Sequence, residues 1–356
     1  MGFEIDFLAV GTEGKSGDAI ALRYGDLLAE PQRQRVIIID GGFSEVGHQL
    51  VEHVNKYYGT ERVDIVVSTH PDQDHVAGIQ TVLEEMEVGE LWMHLPWKHS
   101  PELAAGSRSF RRSHLSEILQ KSLEQAEDLE GLARQRNIPI LEPFYGRTSS
   151  DGCFRVLGPS VDYYEELLAE IEPQRALAAA IAALARKAVR MVEETLHHET
   201  LTDAGQTSPQ NNSSTICLLE CDGEKRLFTS DAGIPALDQA IGRLEAEGYH
   251  PGEVTFVQVP HHGSRRNVGP SVLGRLLGPA GSGGTGRSAF VSAAPKAGPK
   301  HPSKKVTNAF ARRGYQVYAT QGNRLRHAEN APNRPNWVPA SALPFYEQVE
   351  HEEDET

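Results

Sequence analysis

The sequence predicts a layered α/β fold with helices covering its sheets, and three observations carry that prediction. Apolar, strand-like runs alternate with helical stretches along most of the 356 residues, the alternation that α/β layers require. With 39% apolar residues, the chain can bury a substantial core, as one large domain or two small ones. The strand-like runs also fall into two β-rich halves, with two long helical segments between them.

In the first half, "FEIDFLAV" (3–10) and "DAIALRYG" (18–25) read as strands, and "RVIIIDGG" (35–42) is a continuous apolar run suited to a buried strand. "EVGHQLVEHVNKYYG" (45–59) places apolar residues at helical spacing, and "RVDIVVST" (62–69) is another buried strand. "VAGIQTVLEEM" (76–86) looks helical and "GELWMHL" (89–95) looks like a strand. The helical segments at about 113–136 and 163–197 interrupt the alternation and are read as insertions, the second Ala-rich and broken near Pro173. A polar loop covers 198–212. Strands return at 214–223, 225–233, 253–263, 288–295 and 316–322, with helices at 234–248, 271–278 and 303–314. A single domain over 1–345 is expected, followed by a disordered acidic tail at 346–356.

The formal net charge of −14 sets the surface as a whole against polyanions. Basic clusters at 108–112, 264–266 and 296–305 leave room for a local anionic contact. No run of 18 apolar residues occurs and the first fifteen residues lack the plan of a signal peptide, so no membrane association and a cytoplasmic location are expected. Cys217 and Cys221 share one extended stretch, roughly 13 Å apart and beyond disulfide reach. With Cys153 left over and no CxxC pair, neither a disulfide framework nor a zinc ribbon is implied. "GSGGTGRS" (281–288) lacks the lysine and the following helix of a phosphate loop and reads as a linker.

Chemistry concentrates after "DIVVST". There the loop "HPDQDH" brings His70, Asp72, Asp74 and His75 together. His70 and Asp72 point the same way if extended, and a turn brings Asp74 and His75 alongside. Imidazole and carboxylate both bind zinc, and a carboxylate-rich set also suits manganese or iron. The spacing suits two metals side by side. Asp231 follows the strand "KRLFTS", and His261 and His262 follow "VTFVQVP". One Asp after one strand is ordinary turn chemistry. Three strands that each end in such residues are the rigid support a metal site needs.

These motifs resemble the metallo-β-lactamase superfamily. "THPDQDH" looks like its HxHxDH motif with Asp72 in the middle position, "LFTSDAG" like the motif of the metal-bridging aspartate, and "VPHHGS" like the final histidine motif. The match is closest to the hydrolase domain of the DNA-uptake channel ComEC and its stand-alone relatives, echoed also by "GDAIAL", "IIIDGG", "NNSSTICLLE" and "KHPSKKV". The resemblance implies an αββα sandwich with helical insertions and a dinuclear hydrolytic site. His70 and Asp72 would serve one metal, Asp74 and His75 the other, with Asp231 bridging and one of His261 and His262 completing the set. The family's further histidine has no counterpart in "PQNNSST", where Asn211 or Asn212 stands, unless His197 or His198 reaches in.

The expected function is a cytoplasmic metal-dependent hydrolase with two divalent ions, zinc or manganese, that lower the pKa of a bound water. Asp74 would orient that nucleophile. His262, His301 and Lys300 would neutralise developing charge or protonate the leaving group. Clustered cations favour an anionic substrate, so a phosphodiesterase or nuclease acting on nucleic acid or nucleotide ranks first. A small ester, lactone or thioester hydrolase, or a metal-binding scaffold with a protein partner on the second insertion, are the alternatives. His94 and His99 are expected at the rim, and Asp18 and Asp40 behind the metal loop.

Overall fold

The structure is a computed structural model that describes residues 1–29, 33–100, 103, 117–171, 189–284, 286–297, 301–335 and 337–352. Among them the strands are, in chain order, β1 (Gly2–Phe7), β2 (Ala19–Asp26), β3 (Arg33–Gly41), β4 (Arg62–Val67), β5 (Glu87–Trp92), β6 (Ile140–Leu141), β7 (Phe154–Gly158) and β8 (Val189–Glu193). They continue with β9 (Ile216–Cys221), β10 (Glu224–Phe228), β11 (Val254–Gln258), β12 (Arg287–Val291), β13 (Tyr315–Ala319), β14 (Leu325–Glu329) and β15 (Gln348–Glu352). One sheet runs in the order β14, β1, β2, β3, β4, β5, β6, and a second runs β13, β12, β11, β10, β9, β7. Strands β8 and β15 pair separately, antiparallel.

Alternation along each strand builds the layers. On β3, Ile37 and Ile39 point between the sheets, where they meet Phe7, Trp92, Phe154, Phe256 and Phe290. Val36 and Ile38 point outward. Helices α1 (Ser44–His53), α2 (Gln73–Val76), α3 (Ile79–Glu85), α4 (Pro96–His99) and α5 (Glu117–Gln135) belong to the first half of the chain. Leu50 of α1, Leu83 of α3 and Leu129 of α5 cover that outer face. Helices α6 (Val161–Glu170), α7 (Pro209–Asn212), α8 (Ile234–Ala246), α9 (Pro270–Leu277) and α10 (Lys304–Arg312) follow. Ile241 of α8, Leu273 of α9 and Phe310 of α10 cover the second sheet. The result is the expected four-layer αββα sandwich with three apolar cores.

Each sheet contains a parallel block, β3 to β6 in the first and β10 to β13 in the second. Loops leaving the carboxyl ends of such blocks gather at one edge, which is where α/β sheets place ligands. The loop after β4 and the loop before β9 are joined there, Thr215 N donating to Thr69 O at 3.0 Å.

Three expectations need correction or limitation. Among the described residues of the second expected helical segment, helix is confined to Val161–Glu170 and Val189–Glu193 is a strand; residues 172–188 lie outside the described ones. The tail expected to be disordered from 346 pairs over Gln348–Glu352 with β8, and Val349 is fully buried. Acidic composition misled here because Glu350 caps α10, accepting from Ser303 Oγ and, at 3.0 Å, from Lys304 N, where a helix start has orphan amides that favour a carboxylate. The first insertion is helical as expected, but Ala126, Leu129 and Ala133 pack into the outer core, so α5 is part of the helix layer. The basic cluster at 108–112 lies outside the described residues. No described helix is long and apolar enough to cross a membrane.

Candidate metal centre

The loop after β4 stays extended through Ser68, whose N–H donates to Trp92 O at 2.8 Å. Asp72, still extended, precedes the single turn of α2, and His75 N donates back to Asp72 O at 2.9 Å. This turn carries Asp74 and His75 round to face His70. From the other sheet, β10 is followed by Thr229 and Ser230, whose amides both donate to Gln258 Oε1 at 3.0 Å. That bond aims Asp231 at the same point. The chain after β11 turns through His261 and His262, both left-handed (φ 47° and 55°), as are Ser230 (47°) and Asp40 (57°). Each such conformation costs a non-glycine residue about 1–3 kcal/mol, and such strain gathers at functional sites.

Asp231 stands at the centre. Its Oδ2 lies 3.7 Å from His70 Nε2 and 3.5 Å from His261 Nε2, while its Oδ1 lies 3.5 Å from His75 Nε2. On the first side, Asp72 Oδ2 adds a contact of 3.5 Å to His70 Nε2. On the second, Asp74 Oδ2 lies 3.9 Å from His75 Nε2 and 3.6 Å from His262 Nε2. Two ligands of one tetrahedral zinc, each about 2.1 Å from the ion, stand roughly 3.4 Å apart. These separations therefore suit shared ions better than direct hydrogen bonds. His70, His75 and Asp231 present ligand atoms within 4.8 Å of one another, as do Asp74, His75 and His262.

The test of fit is what the buried atoms lack. His70 Nε2, His75 Nε2, His262 Nε2 and Asp231 Oδ1 are buried without a hydrogen-bond partner, a costly arrangement unless something fills it. Their opposite nitrogens are all held: His75 Nδ1 by Asp40 Oδ2 at 2.8 Å, His262 Nδ1 by Ser292 O at 3.0 Å, and His70 Nδ1 by the Thr69 hydroxyl at 3.1 Å. An imidazole fixed through one nitrogen with the other bare is the arrangement of a metal ligand. The residues fit a pair of divalent ions.

Electrostatics agree. Burial by itself lowers the His75 imidazole, yet the carboxylates of Asp231, Asp40 and Asp74 override it and hold its pKa well above the ordinary value. Burial likewise opposes ionisation of Asp231, but His261, His75 and His262 drive its carboxyl well below the usual range. Asp74 is held at about 2 and His262 is raised to about 9 by the same mutual attraction against burial. The cluster favours positive charge among fixed carboxylates, the field a divalent ion would find.

All seven expected ligands, His70, Asp72, Asp74, His75, Asp231, His261 and His262, converge here, both members of the histidine pair included. His301 stands further out, its ring 6.1 Å from that of His261. Lys300 lies outside the described residues. His197 and His198 are exposed, bonded at a turn to Thr195, and do not reach in. Asn211 does, with Nδ2 at 3.0 Å from His261 Nδ1, while Asn212 Oδ1 accepts from Gly233 N. His94 is buried rather than at the rim, stacked on Tyr164 at 4.5 Å, and burial, then His99, lowers its pKa to about 3. Asp40 braces the loop as expected, also accepting from Thr69 N at 2.9 Å. Sequence reasoning missed Ser122 and Gln210, which hold Asp72 Oδ1 from α5 and α7, and Asn267 beside His261. Nothing in their local sequence marks them.

A family model described as the metallo-beta-lactamase superfamily matches residues 27–276. Among solved structures, zinc-bound PqqB from Methylobacterium extorquens is 10% identical with a TM-score of 0.43, covering 91% of this chain and 99% of that one. Unliganded yeast PDE1 is 11% identical with a TM-score of 0.42, covering 89% and 97%. No curated protein matches.

Proposed function

The chain belongs to the metallo-β-lactamase superfamily, generally metal-dependent hydrolases, and we propose that this hydrolase cleaves anionic phosphodiesters, with nucleic acid or nucleotides as the substrate class. The observation that carries the reading is the two-sided Asp231, which separates His70, Asp72 and His261 from Asp74, His75 and His262. Zinc or manganese bound to the two groups supplies a water of lowered pKa and Lewis acidity toward a phosphoryl oxygen.

The chain's own residues do the rest. Asp74, ionised at any ordinary pH, would accept a hydrogen bond from the attacking water and so orient it. His301, its ring 6.1 Å from that of His261 and 6.4 Å from that of His262, would neutralise developing charge or protonate the leaving group. The substrate class is supported by the rim. Gly17 packs against Asp74, and the loop before it carries Lys15, exposed and without an ion pair among the described residues. Arg266, also exposed, follows the histidine pair. The ComEC-like order of motifs supports the same class.

Hydrolysis of bis(p-nitrophenyl) phosphate, by protein stripped of metal and refilled with manganese or zinc, tests the proposal, with p-nitrophenyl acetate as the contrasting ester. Metal-restored cleavage of the diester is the expected result. Turnover of the ester alone would move the substrate class to small esters.

A further inference from the structure

Asn267 is fully buried, and both ends of its amide are committed. Its Nδ2 donates to Asp231 O at 2.8 Å and to Ala232 O at 3.3 Å. Two carbonyls can only accept, so the amide cannot be turned round without facing oxygen to oxygen. Its Oδ1 is therefore the atom that stands 3.1 Å from His261 Nδ1. An oxygen there requires a proton on Nδ1, and neutral imidazole has only one, so Nε2 is left with its lone pair facing Asp231 Oδ2.

Asn211 meets the same nitrogen at 3.0 Å, but it does not compete as a determinant. Its only other side-chain hydrogen bond among the described residues is with the Ser208 hydroxyl at 2.9 Å, and a hydroxyl satisfies either end of an amide. Asn267 dictates and Asn211 adapts.

We propose that Asn267 is a positioning residue that fixes His261 as an Nε2 ligand on the Asp72 side, so that His261 serves where "PQNNSST" offers no histidine. This rests on the dinuclear reading above. The second side has its own fixed imidazole, His75, held by the Asp40 carboxylate. On the first side the Thr69 hydroxyl holds His70, and the added imidazole of His261 depends on an amide attached through Asp231 O to the strand end that delivers the bridging carboxylate. Neighbouring groups that hold ligands in this way typically contribute 10–100-fold to metal affinity.

The test reads metal binding and tautomer rather than turnover. Wild-type protein, stripped and titrated with Zn²⁺ in a calorimeter, is expected to take two ions. Asn267→Ala should weaken one of them by about 10–100-fold and leave the other unchanged. His261→Ala should weaken the same ion, and the double variant should be no worse than His261→Ala alone. Independently of whether any variant folds, ¹⁵N shifts of metal-free wild-type protein should show His261 protonated on Nδ1. Protonation on Nε2, or additive losses in the double variant, would overturn the role of Asn267. A wild-type stoichiometry below two would instead overturn the dinuclear reading, whatever Asn267 does.

Discussion

At the scale of the residue, Asp231 decides most. Each of its oxygens faces a different set of ligands, so replacing it affects both sides at once. Asp231→Asn, nearly the same shape, turns one oxygen into an amide donor facing imidazole nitrogens. Metal content measured after dialysis is expected to fall below one ion per chain, and diester turnover by at least about 100-fold, since the affinity of both sites drops together. Asp40 acts more selectively. It touches His75 but not the first-side ligands His70 and His261 directly, so Asp40→Asn should cost about 10–100-fold in affinity for the Asp74 and His75 side alone. A zinc titration that shows both ions weakened equally would mean that Asp40 supports the whole loop instead.

At the scale of the element, the metal loop is held by close backbone packing. Gly78, between α2 and α3, presses on Gly41 at the end of β3, and a Cβ placed there would run into the Gly41 carbonyl. Its backbone is ordinary for any residue, so the requirement is space rather than conformation. Gly78→Ala should therefore destabilise the fold by about 1–3 kcal/mol through overpacking. The midpoint of urea unfolding, with unchanged slope, is the measurement. Because α2 begins only five residues earlier, the same variant is expected to weaken zinc binding. Alanine at Gly131, where a Cβ meets nothing within 4 Å, is the control and should be neutral or slightly stabilising, as glycine inside a helix is unfavourable.

At the scale of the whole molecule, the two ends of the chain are tied by buried charge away from the metal centre. Arg334 reaches Asp6 of β1 with contacts of 2.7 and 2.8 Å, Asp6 also accepts from Tyr58 OH at 2.7 Å, and His53 Nε2 stands 3.1 Å from the same carboxylate. Burial alone would raise the Asp6 carboxyl, but His53 and Arg334 hold it at about 2. A carboxyl whose pKa is lower folded than unfolded stabilises the fold above its unfolded value and loses that contribution as pH falls towards the folded one. About 2 kcal/mol should therefore disappear between roughly pH 4 and pH 2. Thermal melts across that range should show the loss, and Asp6→Asn should flatten it. The assembled site also links metal to stability: ions that bind only the folded chain raise its melting temperature, so chelation should lower it, and Asp231→Asn should show little such response.

The αββα layering was legible because it rests on periodicity, and a run such as "RVIIIDGG" carries the signal of a strand buried on both faces wherever it occurs. The ligands were legible for a related reason. Four of them lie in one loop, and the others directly follow strong strand signals, so their chemistry is written locally. Strand β15 was not legible, because the carboxylate of Glu350 is stabilised by a helix start nearly fifty residues away, which composition cannot register. Nor were Ser122, Gln210 and Asn267, each of which bonds across the fold to a group distant in sequence. The sequence by itself determined which layers form and which side chains can hold metal. Only the tertiary structure decided that His261 and His262 fall on opposite sides of Asp231, and which nitrogen each presents, because those follow from left-handed backbone and hydrogen bonds between loops of two sheets.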